Sequence, residues 1–279
     1  MKQLLIPVLA LLAACSSQDD TGVSAPSSDT GYRRIVSMDY CADQYVLALA
    51  DRADIVALSP DADKNFSYLR TEAEGIAQVR PVAESVLALQ PDLIVRSYGG
   101  GPMAPRFFEQ AGIPVLQIGW TNDFDSIRDV TRQVAAEMGR PERGEALVTD
   151  FNDRLNAVLP RLETASALYV TPGGVTSGHG SLIDDMFTTA GLENYVSRPG
   201  WHDLPLERLA REEPDVLAVA FYETIHRTPS VWSPSRHPIT QSAMEHADIV
   251  PLDASWTSCG AWYIVEAIEA LAEGEQVTQ

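Results

Sequence analysis

Short apolar runs keep returning along this chain with helical patterns between them, and that alternation is what most narrows the folds open to it. Arg34–Met38, Ile55–Leu58, Leu93–Val95 and Val115–Ile118 read as strands, and Ala42–Ala50, Ala83–Leu89 and Pro105–Ala111 fall between them with helical spacing. Such alternation predicts a parallel sheet, because parallel neighbours need a crossover and a helix supplies it. The middle breaks the rhythm. Phe124–Met138 places Ile127, Val130, Val134, Ala135 and Met138 at helical intervals, and after Gly139-Arg140 the ring of Pro141 suits the first turn of another helix. That second helix carries Ala146, Leu147, Phe151, Leu155 and Val158-Leu159 along one side, and Pro160 bends or ends it. Alternation then resumes with strands at Ala167–Val170, Val216–Ala220 and Asp248–Leu252, a helix at Leu182–Ala190 stopped by Gly191, and a closing helix at Trp262–Leu271. The expected fold class is α/β: two parallel-sheet α/β lobes joined by a single long backbone helix, with the first lobe over residues 32–141, the linking helix over 142–163 and the second lobe over 164–279.

The two lobes share a phrase. Glu84 opens a short helical stretch that ends in Pro91-Asp92 and an apolar strand, and Glu207 opens another that ends in Pro214-Asp215 and an apolar strand. The interval from glutamate to Pro-Asp is the same in both. Pro-Asp is also a common stop between helix and strand, so shared grammar is the alternative, but the phrase reads as the mark of two lobes of like construction.

The first residues set the compartment. Lys2 is a short basic start, Leu4–Leu12 is an apolar stretch too short to span a bilayer as a helix, and Ala13-Ala14 precede Cys15. Small residues before a cysteine resemble the lipobox of bacterial lipoproteins, so residues 1–14 are expected to be a signal peptide and Cys15 the lipidated first residue. An ordinary signal peptide with an incidental cysteine is the alternative. Ser16–Thr30 is polar and short of large apolar residues, which suits a flexible tether over 15–31. Removing residues 1–14 takes away one lysine and no acid, so the formal charge goes from −19 to −20. A body this acidic disfavours nucleic acid and anionic lipid as partners, leaving the lipid as the expected contact with the inner or outer membrane. Cys41 and Cys259 remain, in an oxidising compartment where two cysteines pair more often than they stay as free thiols.

From Arg34-Ile-Val-Ser-Met through Ile55-Val-Ala-Leu-Ser, Leu87-Ala-Leu-Gln-Pro-Asp-Leu-Ile-Val, Gln110-Ala-Gly-Ile-Pro-Val and the long helix to Gly180-Ser-Leu-Ile-Asp-Asp-Met, the order of phrases resembles the substrate-binding proteins of ABC importers for cobalamin and iron–siderophore complexes. Asp39-Tyr40-Cys41-Ala42-Asp43-Gln44 with Cys259-Gly260 looks like a cysteine-containing branch associated with cobalamin-type uptake. The resemblance implies two lobes on a rigid helix and a ligand in the cleft between them, touched by loops at the carboxyl ends of parallel strands. It implies an ABC permease as partner, docked through one surface glutamate on each lobe, which phrase-to-phrase matching puts at Glu84 and Glu207. It implies a corrinoid or ferric-siderophore metal chelate as cargo, with haem or a bare metal ion as alternatives, and no cofactor of the protein's own.

Within that frame the strand-end loops offer Tyr40, Tyr98 and Trp120 in the first lobe and His179, Tyr222 and Trp256 in the second as ligand contacts; Trp201 and Trp232 are further candidates. Aromatic side chains suit a large, partly apolar, planar chelate, since they give wide contact area for little rotamer entropy. Packing under their own loops is the competing role for each. His179 suits a hydrogen-bond donor or an axial ligand. The five histidines show no metal-ligand spacing, the glycine runs at 99–101 and 173–174 lack a Walker lysine, and Ser181 sits in no GxSxG elbow. A hydrolase on a two-lobe scaffold is therefore the weaker class, and a binding protein that performs no chemistry the stronger.

Overall fold

The computed structural model describes residues 31–220 and 234–274, so Cys15, Tyr222 and Trp232 lie outside the described residues. The first sheet is built from β1 (Ile35–Ser37), β2 (Ile55–Ala57), β3 (Leu93–Arg96) and β4 (Val115–Gln117), in the order β2-β1-β3-β4, all parallel. The second comprises β5 (Ala165–Val170), β7 (Leu192–Asn194), β9 (Val216–Ala220) and β10 (Asp248–Leu252), in the order β10-β9-β5-β7, again parallel. Numbered within each sheet, both orders are the same: second, first, third, fourth. The shared phrase precedes the third strand each time. Its aspartate does the same work in both places. Asp92 accepts the backbone N–H groups of Arg33 and Arg34, just ahead of β1, and Asp215 accepts the backbone N–H and the hydroxyl of Ser166 at the start of β5. Each Pro-Asp thus ties the entry of the third strand to the entry of the first.

Buried parallel strands need apolar side chains on both faces, and these have them. In β5, Ala167 and Tyr169 face one cluster while Leu168 and Val170 face another. In β3, Leu93 and Val95 join that same first cluster while Ile94 points to a third. One core therefore runs through both lobes and each sheet has a separate outer core.

The helices are α1 (Tyr40–Leu49), α2 (Ala83–Leu87), α3 (Ala104–Gln110), α4 (Phe124–Glu137), α5 (Pro141–Ala157), α6 (Leu182–Thr189), α7 (Leu206–Leu209), α8 (Pro238–His246), α9 (Ala254–Thr257) and α10 (Val265–Glu273). Asp123 closes a capping box on α4, and Pro141 occupies the first turn of α5 as its fixed φ allows. Here the expectation needs correcting. The linking helix stops at Ala157, two residues before Leu159 and six before 163, because Val158 has left the helical region ahead of Pro160. None of the helices among the described residues is long and apolar enough to cross a membrane.

The closing segment is shared between the lobes. Trp262–Ile264 forms a 3-10 turn leading into α10, and the Trp262 ring meets Tyr45 of α1 edge-on at 5.1 Å while Tyr263 stacks on Tyr68 at 4.3 Å. Arg154 of α5 holds both Glu266 and Glu269 of α10. The last helix thus packs on the linking helix and the first lobe as well as on its own sheet.

Asp43, in the first turn of α1, has no exposed surface, its carboxylate accepting the Ser59 N–H at 3.0 Å and the Ser59 hydroxyl at 2.6 Å. Burial pushes its pKa up to about 6, against which the serine hydrogen bonds work. The fold holds this proton more tightly than the open chain does, so the stability it contributes is complete below the ordinary 3.8 and is lost as pH rises through about 6. The gap converts, at 1.36 kcal/mol per pH unit, to about 3 kcal/mol. Urea denaturation of the wild type and of Asp43→Asn between pH 4 and 7 should show the wild type losing up to about that much more stability across the window. Parallel curves for the two proteins would remove Asp43 as the source.

Candidate functional site

The carboxyl ends of β1 and β3 lie where the strand order reverses, the place where open α/β sheets bind ligands. The loop leaving β3, residues 97–101, is held there on every side. Asp39, which follows β1, caps α1 through one oxygen by accepting from Ala42, and its other oxygen accepts the N–H groups of Ser97, Tyr98 and Gly99 at 2.7, 3.0 and 2.8 Å. Arg96 donates from beneath to the carbonyls of Gly99 and Gly101, and Gln117 at the end of β4 donates to that of Ser97. Burial lowers the Arg96 pKa and the Asp39 carboxylate works against that. Gly99 allows the loop to come this close, since a Cβ there would stand 2.3 Å from the Met38 carbonyl oxygen.

This pinned loop presents Tyr98, half exposed, with its ring edge-on to Tyr40 at 5.8 Å. Tyr40 in turn meets Phe66 edge-on at 5.0 Å. Burial raises both phenols, and the carboxylates of Asp39 and Asp61 add to the shift, so both rings keep their protons at neutral pH.

Residues 258–261 cross from the second lobe beside this wall as a strap. The Tyr40 hydroxyl donates to the Ser258 carbonyl, the Ser258 hydroxyl donates to the Phe66 carbonyl, and the Thr121 hydroxyl donates to the Gly260 carbonyl. A Cβ on Gly260 would lie 2.3 Å from the Thr121 hydroxyl oxygen and 3.1 Å from Leu182, so the strap is squeezed between the lobes. The disulfide joins Cys41 at the start of α1 to Cys259, with Cα atoms 5.9 Å apart.

Trp120 sits beside Thr121 with 80% of its surface exposed and its indole N–H donated to Asn122. Trp256, on α9 just before the strap, is half-buried against the shared core. His179 lies in the turn before α6, exposed, with Nδ1 3.3 Å from the Asp184 carboxylate; Ser181 caps that helix and holds the Gly178 carbonyl. The structure therefore brings Tyr40 and Tyr98 into contact, and sets Trp120 and Trp256 at the strap. Sequence reasoning missed Phe66, the one large apolar side chain in Lys64-Asn65-Phe66-Ser67, and left Trp201 unplaced. Trp201 belongs to β8 (Trp201–Asp203), which pairs antiparallel with β6 (Val175–Ser177), and it lies over Tyr169 at 6.2 Å with half its surface open.

Glu84 and Glu207 are both exposed, each the second residue of its helix. Both helices begin at the strand-end edge of their lobes. Pro81, ahead of α2, has its carbonyl oxygen 3.5 Å from the Cβ position of Gly100, and Leu204, ahead of α7, bonds the Gly174 carbonyl in the turn after β5. Among the described residues no three or more His, Cys, Asp or Glu side chains are grouped so as to hold a metal ion.

Residues 35–224 match the sequence model of a family described as periplasmic binding protein. The vitamin B12-binding protein of Pectobacterium atrosepticum is 25% identical over 217 residues, which cover 72% of this chain and 77% of that protein. Among solved structures, the periplasmic vitamin B12 binding protein of Vibrio cholerae superposes with a TM-score of 0.59 at 18% identity, over 87% of this chain and 96% of that one. The periplasmic haem-binding protein of Roseiflexus sp. RS-1 superposes with a TM-score of 0.66 at 20% identity, over 88% and 99%. At these identities the superpositions establish the fold.

Proposed function

The chain belongs to the periplasmic binding protein family, and on that premise we propose that it captures a corrinoid in the interlobe cleft and delivers it to an ABC importer from a lipid anchor on Cys15. The observation that carries the cargo is the aromatic wall of Tyr40, Phe66 and Tyr98 at the switch point of the first sheet, with the helix start of Tyr40 and the loop of Tyr98 held by Asp39 and Arg96. A wall held by the protein's own hydrogen bonds loses little entropy on binding a large planar chelate. The likeness to B12-binding relatives points the same way. Binding, not turnover, is the function this reading assigns.

Titration of the purified chain with cyanocobalamin, followed by tryptophan fluorescence, should saturate at one corrinoid per chain, with haemin and a ferric catecholate siderophore binding more weakly. Saturation by either of those and not by the corrinoid would overturn the cargo. Trp120→Ala should weaken corrinoid binding by about 1–3 kcal/mol, as loss of an aromatic anchor commonly does. An unchanged affinity would put Trp120 outside the site.

The same reading places the permease contacts at Glu84 and Glu207. Two like carboxylates on two lobes of one topology suit a partner with two related subunits, and arginine would take each in a bidentate, directional bond.

A further inference from the structure

The two rims that carry Glu84 and Glu207 differ in one respect. Beside Glu84, between the first turn of α2 and α3, lies an open groove of about 210 Å³ lined by Pro81, Ala83, Met103 and Phe107, with Phe108 and Met38 at its base. Val82, Met103 and Phe107 around it are 46%, 64% and 44% exposed. Beside Glu207 the neighbours are charged instead. Arg208 lies over the Tyr195 ring and pairs with Glu212, and Arg211 bonds the Glu207 carbonyl.

We propose that the groove takes one apolar side chain of the permease subunit that receives Glu84, so that the first lobe is anchored by charge and by burial and the second by charge alone. This rests on the docking reading above. Three observations choose the occupant. Ala83, at the groove's edge, is the residue next to Glu84, so whatever meets the carboxylate meets the groove. The carboxylate is exposed on a chain of formal charge −19, which favours a basic partner and repels a second copy. The volume fits one side chain. Exposed apolar side chains gathered at one spot are what an interaction site requires.

The test uses the full chain loaded with cyanocobalamin, and a B12-type ABC permease in lipid nanodiscs, at low and at high salt. Met103→Gln with Phe107→Gln should weaken docking about tenfold at both salt concentrations, since burial is not screened. Glu84→Gln should weaken it strongly at low salt and less at high salt. Cyanocobalamin affinity should be the same in every variant. Unchanged docking of the groove variant, with Glu84→Gln still impaired, overturns the groove and leaves the docking reading standing. Indifference to both overturns the docking reading and the groove with it. A groove variant that loses cyanocobalamin affinity assigns the groove to the ligand site, and one that abolishes self-association of the wild type assigns it to a second copy; either overturns the proposal. If the double variant misfolds, Met103→Gln alone, at the more exposed position, carries the same comparison.

Discussion

Reversal of both Glu84 and Glu207 to arginine should abolish cyanocobalamin uptake by cells and leave the cyanocobalamin affinity of the purified chain unchanged. Each carboxylate stands exposed at the second position of a short helix, on the strand-end edge of its lobe. Hydrogen bonds to charged groups contribute about 1.5–3 kcal/mol each, so losing two of them, and setting arginine against arginine, weakens docking on the order of a hundredfold or more. A carboxylate in the first turn of a helix also steadies the helix dipole by about 0.3–1 kcal/mol, and that smaller cost appears in the melting temperature rather than in uptake. Uptake at the wild-type rate in the double variant would end the docking role for this pair.

Loss of the disulfide has the largest expected effect on stability. Cys41 and Cys259 close a loop of 218 residues, and the chain-entropy relation gives about 5 kcal/mol for a loop of that length. For a chain of this size that corresponds to a fall in melting temperature of about 10–20 °C in Cys41→Ser/Cys259→Ser. Corrinoid affinity should fall with it, because the strap that the disulfide pins also holds the Tyr40 hydroxyl and the Phe66 backbone. Calorimetry and titration on the double serine variant check both. Equal melting temperatures would mean that the three strap hydrogen bonds and the Trp262 and Tyr263 packing suffice without it.

Most strands were legible because parallel strands buried on both faces leave unbroken apolar runs. Val216–Ala220 and Asp248–Leu252 appear in the fold with the same ends the sequence suggests. The β6–β8 pair escaped notice because each strand has three residues, two of them polar in β8, and no apolar alternation marks them. The closing helix was legible as a helix, but its pattern says only which side is apolar and not that two lobes share that side. The site divides the same way. Tyr40 and Tyr98 could be nominated from their places after strands. The carboxylate of Asp39 gathering three N–H groups from a loop 58–60 residues away, and Arg96 bonding the carbonyls of that same loop, depend on the meeting of β1 with β3, which no local pattern records. The paired Pro-Asp phrases made the like construction of the two lobes legible, but the strand order that their sheets share was not.

The shared closing segment bears on how the chain reaches its fold. Tyr45 and Tyr68 belong to the first quarter of the sequence, yet the rings that cover them are Trp262 and Tyr263, near its end. A chain that emerges amino end first, from a ribosome or through a translocation pore, cannot finish its first lobe from the residues already delivered. Until the final residues arrive, the inner face of that lobe stays uncovered and Cys41 has no partner. The first lobe is therefore completed late, and a truncation that removes the chain from Cys259 onward would be felt in the lobe made first as well as in the one it shortens.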